Sequence, residues 1–253
     1  MSYNIRYDTP ADGVNAWPLR KAAVAELLHS NSPDIFGIQE ALPHQISELS
    51  AALPDYGWFG VGRDADGGGE GVPVFFRKDR FTLLQSATFW LSETPDRPSR
   101  GWDAALNRIC SYGRFEDTSS QQRLWVINCH FDHAGQTARL ESVRLVLSQI
   151  EKINPDGEPL VLMGDFNAEP ESPPIALLKQ HLSDSRDSNH SPPTGPSGTF
   201  SGFAVEGAVT RRIDYLFTLP HGPVEVLQHA VLDVANAGRY PSDHLPVFVK
   251  IDF

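Results

Sequence analysis

Four apolar residues in unbroken succession, Leu160-Val161-Leu162-Met163, run straight into Gly164-Asp165-Phe166-Asn167. A short apolar run with no polar break suits a strand buried on both faces. Such a strand needs cover on each side, which constrains the chain to a layered fold. Residues two apart in an extended backbone share a side. Asp165 and Asn167 therefore stand together at the strand's C-terminal end, where α/β folds usually build their sites. A carboxylate beside a carboxamide is hard, oxygen-rich ligand chemistry suited to Mg²⁺ or Mn²⁺. Gly-Asp and Asn are also ordinary turn residues, so this stretch alone leaves a plain loop start open.

The flanking sequence supplies the layers. Ser2–Arg6 is expected as a strand and Pro18–His29 as a helix, with Pro18 in the first turn, where a missing N–H costs little, and an apolar set of Leu19, Ala22, Ala23, Leu27 and Leu28. Asp34–Gln39 follows as a buried strand ending in Glu40, then Pro43–Leu53 as a second helix. From Tyr56 to Asn128 the pattern is mostly β, with strands expected at Tyr56–Val61, Val72–Arg77, Phe81–Leu91, Ile109–Phe115 and Leu124–Asn128. Gln136–Ile153 is the clearest helix, its inner stripe Leu140, Val143, Leu147 and Ile150 with Val146 beside it. A short helix at Pro174–His181 and a polar, Pro-rich loop at Ser185–Ser201 precede three closing strands, Ile213–Thr218, Val224–Leu232 and Pro246–Phe253. No repeat and no linker divides the chain. One domain over 1–253 is the expectation: two sheets packed face to face with helices outside.

Composition narrows the partners. A net charge of −11 argues against tight, non-specific binding to duplex nucleic acid, although a local basic cleft is compatible with it. No stretch approaches the roughly 20 apolar residues of a membrane span. Cys110 and Cys129 lie inside strand-like runs and give neither a disulfide framework nor a zinc spacing. Buried free thiols are expected, which favours a reducing compartment and hence a cytoplasmic protein; a monomer is the expected state. Met1 opens almost directly on a strand, so any residues before it would take a targeting signal with them.

Polar groups recur where apolar strands end: Asn4, Glu40, His130, Asp165 with Asn167, Asp214, and Asp243 with His244. Each has a plain explanation as a hydrogen-bonded strand residue or a turn. Together they call for a shared site, because ionisable groups abutting buried strands cost free energy unless paired or bound to metal. The chain has no phosphate-cradling Gly-rich loop, no Gly-x-Ser-x-Gly elbow and no His-Glu-x-x-His helix. His130-Phe131-Asp132-His133 could in principle grip a soft metal, but most other candidates offer oxygen.

Six segments in order complete the pattern: Ser2-Tyr3-Asn4-Ile5-Arg6, Ile38-Gln39-Glu40, Asn128-Cys129-His130-Phe131, Gly164-Asp165-Phe166-Asn167, Arg212-Ile213-Asp214-Tyr215 and Ser242-Asp243-His244-Leu245-Pro246. In these the chain resembles the endonuclease/exonuclease/phosphatase superfamily, the deoxyribonuclease-I-like proteins. Phe89-Trp90-Leu91-Ser92-Glu93-Thr94-Pro95 and Gly101-Trp102-Asp103-Ala104-Ala105 resemble a bacterial branch of it. The resemblance implies a four-layer α/β sandwich and divalent-metal-dependent cleavage of a phosphate ester. It implies Glu40 as main metal ligand with Asn4 close by and Asp243 at the metal site. His244 is implied as general base oriented by Asp214, with Asp165 and Asn167 holding nucleophile, phosphate or a second metal. His130 is implied to contact the phosphate, and Glu70 to pair with that histidine. A histidine near neutral pKa suits removal of a proton from water.

Substrate contacts are expected from Trp90, Arg97, Arg100, Trp102, Asp103, Asn107 and Arg108, with Arg108 aimed at phosphate. A hairpin packing its own tryptophans is the other reading of that cluster. The expected substrate is a phosphorylated small molecule or a short nucleic acid, cleaved as a diester or a monoester with Mg²⁺ or Mn²⁺. A nuclease acting on single strands is the rival enzyme reading. A non-catalytic binding module should have lost one of Glu40, Asp214, Asp243 or His244, and all four are present.

Overall fold

A computed structural model describes residues 1–253. Two six-stranded mixed sheets pack face to face with helices on their outer sides, giving a four-layer α/β sandwich. The first sheet contains β1 (Ser2–Asn4), β2 (Ile35–Gln39), β3 (Tyr56–Phe59) and β4 (Val74–Arg77). The second contains β5 (Phe81–Trp90), β6 (Ile109–Asp117), β7 (Arg123–His130), β8 (Leu160–Asp165), β9 (Ser183–Asp184) and β10 (Asp214–Thr218). The last strands, β11 (Glu225–Val231) and β12 (Val247–Asp252), return to the first sheet, in the order β11-β12-β1-β2-β4-β3. The second sheet is ordered β5-β6-β7-β8-β10-β9.

Each sheet has one parallel pair at its centre, β1/β2 and β7/β8. The crossovers are α1 (Trp17–Asn31) and α3 (Gln136–Ile153), as parallel pairing requires. The other helices are α2 (Pro43–Ala52) and α4 (Pro173–His181). No helix is long and apolar enough to cross a membrane.

The period-two alternation of these strands sorts the layers. Along β7, Trp125, Ile127 and Cys129 join the core under α3 and α4, while Val126 joins the inter-sheet core. Along β8, Leu160 and Leu162 face the helices, and Val161 and Met163 the opposite sheet. The inter-sheet layer is apolar near the strands' N-terminal ends and turns polar toward their C-terminal ends, where Asn4, Gln39, Asn128, His130 and Asp165 are all buried.

Several boundaries differ from expectation by one to three residues, and a 3₁₀ helix at Pro10–Asn15 and the two-residue strand β9 carry no periodic pattern in sequence. The buried face of α1 is Trp17, Arg20, Val24, Leu27 and Leu28; Leu19 is 68% exposed and Ala22 is exposed. A buried arginine was not readable from polarity, yet Arg20 donates to four backbone carbonyls, of Ile5, Arg6, Asn15 and Pro241. The α3 stripe is rotated toward Ala138, Ser142, Val143, Val146 and Ile150, leaving Leu140 and Leu147 half-buried. Cys110 and Cys129 are buried free thiols, directly opposite across β6 and β7.

Candidate active site

Two neighbouring strand ends per sheet aim side chains at one point. Asn4 ends β1, Glu40 follows β2, His130 ends β7 and Asp165 ends β8. The residues that turn the chain out of these strands adopt left-handed backbone: Arg6 (φ 57), Glu40 (φ 62) and Asn167 (φ 47). Such conformations cost about 1–3 kcal/mol each and persist where surrounding contacts fix them. The fixing contacts are visible. Asn4 Oδ1 accepts from Arg6 N at 2.9 Å, and Glu40 Oε2 from Tyr7 N at 3.1 Å. Asp165 Oδ1 accepts from Asn167 N at 2.9 Å. Asp165 and Asn167 thus stand together through a side-chain turn and not through the pleat, because the strand ends at Asp165.

Asn4 joins the two sheets. Its Nδ2 donates to Glu40 Oε1 at 3.1 Å and to Asp165 Oδ2 at 2.9 Å. It therefore meets the cluster as a bridging donor; its oxygen is engaged by Arg6 N. Beside it, His244 Nδ1 lies 2.8 Å from Asp214 Oδ2, and His244 Nε2 lies 3.7 Å from Asp165 Oδ2. Thr199 Oγ1 donates to the same Asp214 oxygen at 2.6 Å and accepts from the backbone N–H of Ile213 and Asp214, both at 3.1 Å. Asp243 lies at the rim, 4.0 Å from Arg6 NH1.

The electrostatics follow from burial among acids. Burial disfavours a charged His244, yet Asp214 and Asp165 outweigh it and push the imidazole up to about 10. The near-neutral histidine expected from sequence is replaced by one held protonated by its carboxylate neighbours. Asp165 is pushed up to about 7 by burial and by Asp214. Burial likewise raises Asp243. His130 is held well below its ordinary value by burial and by Arg108.

The second wall is a cationic shelf. Arg108 is buried, with NH1 3.0 Å from His130 Nδ1 and NH2 3.0 Å from His133 Nδ1. Glu70 Oε2 lies 2.9 Å from Arg63, 3.5 Å from Arg108 and 3.8 Å from His130 Nδ1. Asn167 Nδ2 reaches His130 Nε2 at 3.3 Å. Asp132 underlies the shelf, 3.4 Å from Arg108 Nε. Despite its burial, the backbone N–H groups of Gly135, Ala105 and Ala134 hold its carboxyl at about 2. Arg63 and Thr199 were missed in sequence, and Asp132 was noted only within the run from His130 to His133. Arg63 carries no strand-end signal, and Thr199 sits in a stretch that looks like plain loop.

The long loop before β6 contributes less than expected. Arg97 and Arg100 are exposed and form no ion pair with the cluster. Trp102 (φ 48) is half-buried with its N–H on Glu93. Asp103 accepts from Thr137 N and Ala138 N at the start of α3, and Trp90 Nε1 donates to Arg63 O. The hairpin largely packs and caps its own surroundings, with Arg108 the member that reaches the site.

Hard divalent ions suit the donor set. Ligand atoms of Glu40, His130 and Asp165 lie within 4.8 Å of one another, as do those of Asp165, Asp214 and His244. Most are oxygen. An apolar cavity of about 270 Å³ lies at the opposite, N-terminal ends of the parallel strands, lined by Met1, Ile35, Leu124 and Val161, away from every one of these groups.

Residues 1–244 match the Endonuclease/Exonuclease/phosphatase family. A mannosyl-6-phosphatase of Bacteroides thetaiotaomicron has a solved structure that is 35% identical, covering 100% of this chain and 98% of that one, with a TM-score of 0.91. An Enterococcus faecalis protein of unknown function is 32% identical over 99% of this chain and 98% of that one, with a TM-score of 0.93. The human Nocturnin catalytic domain, 23% identical with a TM-score of 0.77 over 99% of this chain and 91% of that one, shares the fold. Among curated relatives, protein L388 of Acanthamoeba polyphaga mimivirus is 27% identical over 176 residues, 64% of this chain and 63% of its own length. Mouse Nocturnin is 23% identical over 94% of this chain and 59% of its own length. The match thus covers about three fifths of these two relatives.

Proposed function

The chain belongs to the endonuclease/exonuclease/phosphatase family, and on that premise we propose that it is a divalent-metal-dependent phosphoesterase acting on a phosphomonoester of a sugar or similar polyol. The observation that carries the chemistry is the convergence on one Asp165 oxygen: Asn4 ties it to Glu40, and His244 Nε2 faces it at 3.7 Å. Glu40 and Asp165, with Asp243 at the rim, are the residues that hold Mg²⁺ or Mn²⁺ in this reading. The cation's contribution is to offset charge on the phosphate oxygens and acidify a water.

The chain's own residues do the rest. Nδ1 of His244 is committed to Asp214, so Nε2 is the atom that would take a proton from the attacking water, once a cation at Glu40 and Asp165 offsets the carboxylate charge that raises the imidazole. The pull of Asp214 that raises the imidazole also stabilises the imidazolium formed in that step. Thr199 holds Asp214 in place for it. His130, Arg108 and Asn167 receive the phosphate oxygens, with Glu70 and Asp132 fixing the orientation of Arg108. Water adds to phosphorus, the P–O bond to the alcohol breaks, the departing alkoxide takes a proton from solvent while His244 returns its own to solvent, and inorganic phosphate and the alcohol leave.

Two observations support a small substrate. The mannosyl-6-phosphatase matches over essentially both whole chains. A net charge of −11 also opposes a polyanionic strand. The test is a panel of hexose 6-phosphates, mononucleotides, oligonucleotides and an aryl phosphodiester with Mg²⁺ and Mn²⁺, run on the wild type, Glu40→Ala and His244→Ala. Turnover of the hexose phosphates that both folded variants lose is expected. Retained activity in either variant removes the site assignment, and preferential cleavage of oligonucleotides replaces the substrate reading by a nuclease.

A further inference from the structure

Gln45 is fully buried, at the third position of α2. Its Oε1 accepts from Leu42 N at 3.1 Å, which is the return half of a capping box and would by itself make it an ordinary helix-start residue. Its other two bonds leave the helix. Oε1 also accepts from Asp8 N at 3.0 Å, and Nε2 donates to Arg6 O at 3.0 Å. One amide thus grips two points of the segment leaving β1 and one point of the segment leaving β2.

Glu40 sits between these points. Its two carboxylate oxygens are held by Asn4 Nδ2 and Tyr7 N. Tyr7 lies between Arg6 and Asp8, the two residues tied to Gln45. Glu40 itself precedes Leu42 by two residues and has a left-handed backbone, as does Arg6. Neither conformation is favourable for a non-glycine residue, so each needs contacts that over-determine it. A glutamate at position 45 would serve the cap equally well but would offer no N–H to Arg6 O. The amide is what the crossing demands.

We propose that Gln45 is a positioning residue for the metal centre, setting the place of the Glu40 carboxylate by bracing the two strand exits against each other. This rests on Glu40 being a metal ligand. Partners that orient ligands in this way are worth about 10–100-fold in metal affinity.

Mn²⁺ binding, followed by calorimetry or by the loss of the free-ion electron paramagnetic resonance signal, tests this without reference to turnover. Gln45→Met fills similar volume and makes none of the three bonds. It is expected to bind Mn²⁺ about 10–100-fold more weakly. Leu49→Ala removes a buried apolar side chain of the same helix that makes no hydrogen bond to either strand exit, so it is expected to lower Tm while leaving Mn²⁺ affinity within about threefold of the wild type. Wild-type affinity in Gln45→Met, or an equal loss in Leu49→Ala, overturns the proposal. If Gln45→Met does not fold, Gln45→Glu carries the test, since it keeps both acceptor bonds and the cap. Its affinity must still fall, against the pull of an added carboxylate, and unchanged or tighter binding overturns the proposal. Glu40→Gln separates the two levels: undiminished Mn²⁺ binding there removes the metal-site reading itself and the role of Gln45 with it.

Discussion

Gly37 lies in the middle of β2, and a Cβ there would sit 2.5 Å from Asn128 Cγ, 2.7 Å from Asn128 Nδ2 and 2.7 Å from Met163 Cε. Met163 has a flexible end and can yield. Asn128 cannot yield cheaply. Its Nδ2 donates to Ile38 O at 2.9 Å and Pro73 O at 3.1 Å, and its Oδ1 accepts from Gln39 Nε2 at 2.6 Å. These three bonds cross the inter-sheet layer directly beneath Glu40 and His130, and Asn128 is wholly buried. Gly37→Ala must therefore displace the asparagine. Leaving two or so buried polar groups unpaired costs about 1–3 kcal/mol each, and overpacking adds about 1–3 kcal/mol. A loss on the order of 4 kcal/mol is expected, roughly 10 °C in Tm for a chain of this size. Urea unfolding of Gly37→Ala, Asn128→Ala and the double variant measures it. Removing the asparagine side chain removes the clash, so the double variant should cost about 2 kcal/mol less than the sum of the singles. Additive costs, or a Gly37→Ala loss below about 1 kcal/mol, would refute the steric reasoning.

Asp214→Asn leaves the shape of the site intact and removes the charge that favours the His244 imidazolium. Hydrolysis should fall by about 10²–10⁴-fold with little change in Tm, and a loss under tenfold would show that the pair does not handle the proton. His229 is buried against Ser185 and lies outside the catalytic cluster; burial, with Arg186 and Arg212, lowers its pKa from 6.5 to about 4. The unfolded chain therefore binds the extra proton between those values, so this stabilisation is fully present above pH 6.5 and is lost as pH falls toward 4, by about 3 kcal/mol in all. Denaturant unfolding should show the gap between wild type and His229→Gln narrowing over that window, and a constant gap would exclude the titration. The phase of α1 predicts that Leu19→Arg changes Tm by a degree or two, because Leu19 is exposed, whereas Val24→Arg, at a fully buried position, prevents folding; similar effects from both would refute the observed face.

The strands and the crossing helices were legible because burial on both faces writes unbroken apolar runs and helices write a 3.6 period. The site was legible for the same reason. A polar residue ending an apolar strand is conspicuous: Asn4, His130 and Asp165 end theirs and Glu40 follows one, while Asp214 opens a strand and His244 precedes one. Local pattern gives out where a residue's role is set by a distant partner. Arg20 looks like one more surface charge on α1 until the carbonyls of Ile5, Arg6, Asn15 and Pro241 are seen around it. Thr199 stands in a Pro- and Gly-rich stretch with no periodicity, yet it holds Asp214. The tryptophan-arginine loop erred the other way. Its composition matches substrate recognition, but Trp90 donates to Arg63 O, Trp102 N–H to the Glu93 carboxylate, and Asp103 caps the start of α3.

The charge inventory of the site bears on what it can hold. Six carboxylates, Glu40, Glu70, Asp132, Asp165, Asp214 and Asp243, face the guanidiniums of Arg63 and Arg108 and the imidazolium of His244, while Arg6 is forked onto Asp12 and brings only NH1 within 4.0 Å of Asp243. His130 adds no charge, since its surroundings favour the neutral ring. The cationic members are also unevenly spread. Arg63 and Arg108 serve Glu70 and Asp132, whereas Glu40 and Asp165 have no guanidinium in contact and share only the neutral amide of Asn4. The excess of negative charge is therefore concentrated at Glu40, Asp165 and Asp243. Protein groups respond there as electrostatics requires: Asp165 rises to about 7, Asp243 rises, and His244 holds its proton up to about 10. A strand end that only turned the chain would carry no such excess, because burying unpaired carboxylates is costly. An excess of negative charge on hard oxygen donors from both sheets is the setting in which a divalent cation could be held.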